Sequence, residues 1–280
     1  MKKAIPKEFI GEFIGTFIIV FLGCGSVAVS TLFGSHQGLF QVAAVWGIAV
    51  TLAIYVSRAL SCAHLNPAVS IAFVVAKRLN PDKLLVYLLG QLSGAFFAAV
   101  VLYGIFSGSI ANFEFANSIV RGSPESVRTA MMFGEYFPNP LSSAAMAGVS
   151  NFNAFLAETV GTFLLVFFIF MLTEGCNIGR PALGIAPIFI GVAVTVIISV
   201  IAPLTQACLN PARDFGPRLF SFIAGWGDIA IPGPRGGFFS VYILGPIVGG
   251  ILASIVFTKT IERLMKDKHK KGGECGCEKD

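Results

Sequence analysis

The triplet Asn-Pro-Ala stands twice in this chain, at Asn66-Pro67-Ala68 and at Asn210-Pro211-Ala212. Asn before Pro is a helix start: the amide oxygen caps free backbone N–H groups and the ring presets the first helical φ. One copy would be a turn signal and nothing more. Two copies, each behind a hydrophobic segment and each opening a stretch too short to cross a bilayer, point to a pore built from an internal repeat. Each helix start carries roughly half a positive charge. Two such ends facing one another in a low-dielectric lumen would repel cations and oppose a proton moving along a water file. Asn66 and Asn210 would meanwhile offer side-chain NH2 donors to the oxygen of a passing water or alcohol.

The elements that must position these triplets are written in the composition. Of 280 residues, 55% are hydrophobic and 12% charged, and the mean hydropathy is +0.79. The apolar residues come in blocks near 9–32, 38–57, 84–106, 152–173, 183–203 and 236–258. Each matches the roughly 20 helical residues that cross a hydrocarbon core of ~30 Å, so the expected class is an all-α membrane protein with six transmembrane helices. The first block follows Lys2, Lys3 and Lys7 like a signal peptide, but it runs longer than such a region and has a counterpart in the second half, so it reads as a retained helix.

Six crossings put both termini on one side. Of the 20 Lys and Arg, all but Arg121, Arg128, Arg213, Arg218 and Arg235 fall on that side, which makes it cytoplasmic. The basic run from Lys259 to Lys271 is thus an orientation signal at the bilayer surface, and the net charge of +5 needs no nucleic acid to explain it.

The halves align beyond the triplets. Glu12-Phe-Ile-Gly-Thr16 and Phe17 answer Glu158-Thr-Val-Gly-Thr162 and Phe163. The layout read from this is a cytoplasmic N-terminus (1–8), a first repeat (9–106), a long extracellular loop (107–150), a second repeat (152–258) and a disordered cytoplasmic basic tail (259–280). Three crossings per half force the second repeat to enter from the opposite face, so the repeat is inverted. Residues 61–73 and 204–215 read as two re-entrant half-helices whose Asn-capped ends meet near the midplane. The non-helical backbone before each triplet, 61–65 and 205–209, leaves carbonyls free to line the lumen.

Glu12 and Glu158 lie inside spans, where an ionisable group is expensive. They could relay protons, but their symmetric placement favours carboxylates that hold the re-entrant loops in shape. His64 reads the same way, as a loop-fixing side chain. Cys24, Cys62, Cys176 and Cys208 read as small buried hydrophobes, with the Cys208 thiol expected near the lumen. Cys275 and Cys277 sit with His269 in a polar tail that reads as disordered, and no metal or cofactor is implied. Gly11/Gly15, Gly90/Gly94 and Gly245/Gly249 are small-residue pairs that let helices approach closely. Arg58 reads as an interfacial side chain reaching toward the headgroups.

On the twin triplets and the repeated Glu, residues 8–258 resemble the major intrinsic protein family, the aquaporins and glycerol facilitators. Asp214 after Arg213, the stretches Tyr136-Phe-Pro-Asn-Pro140 and Ala224-Gly-Trp-Gly227, and the long 107–150 connection resemble the glycerol-conducting branch, and Asp214 stands where water-selective members usually carry Ser. The resemblance implies a selectivity ring at Trp46, Ile198, Ala207 and Arg213. Trp46 and Arg213 agree with the glycerol pattern, while a glycerol facilitator typically has Gly at Ile198 and Phe at Ala207. Tyr242-Ile243 replaces an expected Pro-Leu pair. The ring is instead similar to that of the plant nodulin-26-like group.

The resemblance implies a homotetramer in the plasma or inner membrane, passing water, glycerol and similar small neutral solutes. Three rivals remain open at this point: a water-selective aquaporin, an inverted-repeat proton-coupled secondary transporter, and a scaffolding member with a vestigial pore.

Overall fold

The computed structural model describes residues 5–36, 38–141 and 148–270, so the Cys275/Cys277 tail and Lys2 and Lys3 lie outside the described residues. The elements in chain order are α1 (Lys7–Phe33), α2 (Leu39–Ser57), α3 (Pro67–Val75), α4 (Leu84–Ala116), α5 (Val127–Ala130), α6 (Asn151–Thr173), α7 (Ala186–Thr205), α8 (Pro211–Ser221), α9 (Gly245–Val256) and α10 (Glu262–Lys270). There is no strand among the described residues. Six stretches are long and apolar enough to cross a membrane: α1, α2, α4 with its lead-in, α6, α7 and the continuous segment Phe239–Lys266 that contains α9. The protein is a multi-pass membrane protein. α3 and α8, which begin at the two Asn-Pro-Ala triplets, have only 9 and 11 residues, too short to cross a bilayer.

The inverted repeat is visible in the packing. α1 lies chiefly against α4, α6 against α9, and the two halves meet where α2 crosses α7. That crossing is close because Gly47 and Gly191 face each other: a Cβ on either would run into the other's carbonyl. Thr51 Oγ1 lies 3.2 Å from the Pro187 carbonyl and donates across the same seam. The Gly90/Gly94 pair admits the α1 backbone at Phe9 and Phe13, and Gly249 admits Thr159 of α6. Gly11 and Gly15 do something different from the expected helix–helix contact. The room at Gly11 is taken by Leu60 and Ser61 and at Gly15 chiefly by Leu65, in the loop ahead of α3, with Ser57 at the end of α2 also against Gly15. These two glycines admit a re-entrant loop, a partner that a small-residue spacing alone does not distinguish from a helix.

Two boundaries differ from those read in the sequence. α4 runs on to Ala116, taking residues 107–116 out of the expected loop. Its last turns are held by Glu114, which accepts from Thr129 Oγ1 at 2.8 Å and pairs with Arg121 at 2.8 Å. At the chain end, helix continues through Phe257–Ile261 and α10 to Lys270. Arg78, from the turn after α3, lies 5.0 and 5.3 Å over the Phe170 and Phe257 rings, pairs with Glu174 and reaches Glu262 of α10 at 3.6 Å. Glu174 lies outside the spans. Burial works to raise its pKa, but the bond from Arg78, the Cys176 N–H and the charges of Arg78 and Lys266 together outweigh that and hold the carboxyl below its ordinary value.

Candidate functional site

The two triplets lie back to back. Asn66 caps α3 by accepting from the Ala68 N–H at 2.8 Å, and Asn210 caps α8 by accepting from Ala212 and Arg213 at 3.0 and 3.3 Å. Each side chain also crosses the seam: Asn66 Nδ2 donates to the Leu209 carbonyl and Asn210 Nδ2 to the Leu65 carbonyl, both at 2.8 Å. One hydrogen of each amide is therefore committed to the protein, and one remains.

What shapes the loops is a buried carboxylate behind each. Glu12 Oε1 accepts from Ser61 Oγ at 2.7 Å and from His64 N–H at 3.0 Å, and Oε2 accepts from Leu65 N–H and Gln91 Nε2 at 2.7 Å. Glu158 Oε1 accepts from Thr205 Oγ1 at 2.5 Å and Cys208 N–H at 2.9 Å, and Oε2 accepts from Leu209 N–H at 2.9 Å. A peptide's N–H and C=O point in opposite directions. Turning the His64, Leu65, Cys208 and Leu209 N–H groups toward the carboxylates therefore sends the carbonyls of Ala63, His64, Ala207 and Cys208 the other way, toward the lumen. The backbone strains to do so. Ala63, Leu65, Ala207 and Leu209 have φ of 52°, 54°, 61° and 55°, a left-handed conformation costing about 1–2 kcal/mol for each non-glycine residue. Repeating the same strain at matched positions in both halves argues that the carbonyl ladders are what the loops are built for.

The lumen itself is a cavity of about 400 Å³ bounded by both loops, Asn66 and Asn210. Away from the loops its wall is largely apolar, with Ile19, Val50, Val69, Leu165, Ile190 and Val194. A second cavity of about 330 Å³ opens on the face opposite the termini. Trp46 and Ile198 line both cavities, so the constriction lies between them. Ala207 and Arg213 line the first, and all four side chains of the expected ring are brought together there, 3 to 7% exposed. The Arg213 guanidinium stacks 4.4 Å over the Trp46 ring, and Gly23 of α1 leaves room for that indole.

Arg213 is held by residues 133–135, in the stretch 131–141 after α5 that lines the second cavity. Its Nη1 donates to the Phe133 carbonyl at 3.1 Å and its Nη2 pairs with the Glu135 carboxylate. Residues 129–137 are buried, and groups of α7 and α8 and the loop between them meet several of this segment's polar groups. Glu135 N–H donates to Asp214 Oδ1 at 2.6 Å, Tyr136 N–H to Gln206 Oε1 at 2.8 Å, and Asn139 Nδ2 to the Ala202 carbonyl at 2.8 Å. Asp214 also receives Arg218 at 2.7 and 2.8 Å, and Arg218 donates onward to the Ala230 carbonyl at 2.7 Å.

His64 packs between the Phe73 and Tyr87 rings at 4.4 and 5.0 Å, with Nδ1 3.2 Å from Ser70 Oγ. Tyr87 and Tyr242 have matching duties: the Tyr87 hydroxyl accepts from Cys62 N–H at 3.2 Å, and the Tyr242 hydroxyl donates to the Thr205 carbonyl at 3.2 Å. That is a structural use for the Tyr in place of the expected Pro. Two placements correct the sequence reading. The Cys208 thiol sits 3.2 Å from the Asn210 carbonyl and packs with Phe137, Val241 and Tyr242, so it is the residue's backbone that faces the lumen. Cys62, expected buried, is exposed and lines the lumen. Arg58 likewise does more than reach for headgroups: it lines the lumen mouth and donates to the Leu183 carbonyl at 2.7 Å.

A lumen set among six membrane-length helices, walled by apolar side chains and by the loops ahead of both half-helices, defines a transmembrane channel. This chain belongs to the major intrinsic protein family, whose sequence pattern matches residues 1–257. It is 42% identical over 248 residues to the glycerol uptake facilitator protein of Pseudomonas aeruginosa, covering 88% of this chain and 86% of that protein. The glycerol uptake facilitator protein of Haemophilus influenzae is 38% identical over 283 residues, with 99% and 100% covered. The propanediol uptake facilitator of Citrobacter freundii is 36% identical over 258 residues, with 92% and 93% covered. In three dimensions the chain is similar to the X-ray structure of the aquaglyceroporin from Plasmodium falciparum, with a TM-score of 0.79 at 28% identity, covering 94% of this chain and 99% of that one.

Proposed function

We propose that the chain is a passive channel for water and small uncharged solutes such as glycerol, excluding ions and protons. The observation that carries this is the two-sided lumen. A carbon chain with hydroxyls on one edge can slide its CH groups along the apolar wall while its hydroxyls exchange water for carbonyl oxygens. The kinship with glycerol and propanediol facilitators supports the same solute class. In this reading Asn66-Pro67-Ala68 and Asn210-Pro211-Ala212 centre the half-helix dipoles as a cation barrier, and Glu12, Glu158, His64 and Asp214 support the loops. Trp46, Ile198, Ala207 and Arg213 select by size and polarity, a ring similar to the nodulin-26-like one. The assembly is a homotetramer in the plasma or inner membrane, with both termini cytoplasmic.

Stopped-flow light scattering on proteoliposomes tests the reading with water, glycerol, urea and a larger polyol in turn. Non-saturating water and glycerol flux, indifferent to a proton gradient, is expected. Water movement alone would make this a water-selective pore; flux driven by the gradient would make it a transporter.

A further inference from the structure

Everything positive about this lumen invites anions. The two half-helix N-termini point at its centre, and two arginines, Arg58 and Arg213, line it. Positive ends that repel cations lower the energy of chloride or nitrate in the same place. The loop carbonyls offset them only with partial charges, and a full negative charge beside Arg213 is the stronger counterweight. Glu12 and Glu158 line neither cavity, and their oxygens are turned to loop donors. Asp214 is closed against Arg218. Among the described residues lining the two cavities, Glu135 is the one carboxylate.

Its setting fits the task. Glu135 and Arg213 are 2 and 3% exposed and in direct contact at the constriction. Glu135 Oε1 meets the guanidinium, while Oε2 has no hydrogen-bond partner among the described residues. We infer that Glu135 is an ion-selectivity residue of the channel: its carboxylate cancels the Arg213 charge at the constriction and thereby keeps anions out. Arg213 can then act as a directed hydrogen-bond donor to a neutral solute without acting as an anion site. Cation exclusion is left to the half-helix dipoles. The inference rests on the channel reading above.

The test is ion selectivity in proteoliposomes under a potassium nitrate gradient, read with a potential-sensitive dye at alkaline pH, where the carboxyl is ionised. Water flux in the same vesicles reports whether the pore is open. Glu135→Gln should raise nitrate permeability on the order of tenfold or more over wild type without raising potassium permeability. Glu135→Asp, which keeps the charge, should remain nitrate-tight. The reciprocal Arg213→Gln leaves the carboxylate alone and should shift the preference toward potassium, so the inference stays testable if Glu135→Gln does not fold. A nitrate-tight Glu135→Gln, nitrate and potassium leaking together, or Glu135→Asp leaking as much as Glu135→Gln would overturn it. Wild-type vesicles passing neither water nor glycerol would defeat the channel reading instead, a distinguishable result.

Discussion

The Asn210 side-chain amide donates to the Leu65 carbonyl at 2.8 Å, tying the cap of one half-helix to the loop of the other across the seam between the repeats. Asn210→Asp keeps a helix-capping oxygen, since Asp caps as well as Asn, but it replaces the donor with a carboxylate aimed at a carbonyl. The expected cost is about 1–3 kcal/mol of stability, seen as a lower thermal transition in detergent. The added negative charge at the meeting of the dipoles should also admit cations, seen as potassium flux. An unchanged melting point together with unchanged ion tightness would show that the cross-seam bond is incidental.

Glu158 accepts from Thr205, Cys208 and Leu209 and so shapes the second carbonyl ladder. Glu158→Gln turns an NH2 toward N–H groups and loses charge-assisted bonds, with an expected loss of about 2 kcal/mol or more. Water and glycerol flux should fall together, because the ladder serves both. Neither wild type nor variant should respond to an imposed proton gradient. Loss of gradient-driven uptake with passive flux intact would instead identify Glu158 as a relay.

The two loop cysteines give a chemical check on how the loops are turned. Cys62 is exposed in the lumen, and the Cys208 thiol packs with Tyr242. A mercurial should therefore reduce flux through wild type and through Cys208→Ser, and should spare Cys62→Ser. Protection by Cys208→Ser alone would place the wrong thiol in the lumen.

The repeat, the two half-helices and the loop carboxylates were legible in the sequence because each leaves a paired local signature: a capped Pro start, a Glu within an apolar helix. The grip on Arg213 was not. Glu135 reaches Arg213, and Gln206 holds the Tyr136 N–H beside it, through contacts distant in sequence, and a buried loop of 129–137 has no periodicity to announce it. Its one signal was adjacency to Tyr136-Phe-Pro-Asn-Pro140, read for kinship and not for charge. Gln91 was a missed clue of another kind, a polar side chain inside an apolar helix beside Gly90 that turns out to bind Glu12 at 2.7 Å. The Cys208 expectation failed because proximity to Asn210 fixes where the backbone lies and leaves the side chain's direction open.

Ile198 narrows the ring that Trp46 and Arg213 define, lining the cavities on both of its sides. Ile198→Gly removes that wall. If the ring sets the size limit, flux of a five-carbon polyol should rise about tenfold, the scale on which a few methylenes discriminate between substrates, while water flux changes less. Equal gains for every solute would move the limiting constriction elsewhere.

The Glu135 carboxyl should make ion selectivity depend on pH. Burial pushes its pKa up to about 8; Arg213 and Arg218 oppose the rise, and Asp214 and Glu158 add to it. Unfolded, the same carboxyl would titrate near its ordinary value of about 4.3. The folded state thus holds a proton that the unfolded state releases, so this group's contribution to stability declines as pH rises from the ordinary value to about 8 and is level above it. Selectivity runs the opposite way. Above about 8 the carboxylate offsets Arg213; as pH falls through that value the guanidinium is left uncompensated and nitrate permeability should climb. Glu135→Gln should show the high permeability at every pH, with no step. A wild-type channel equally tight to nitrate on both sides of that value would mean that Arg213 keeps the carboxylate ionised throughout.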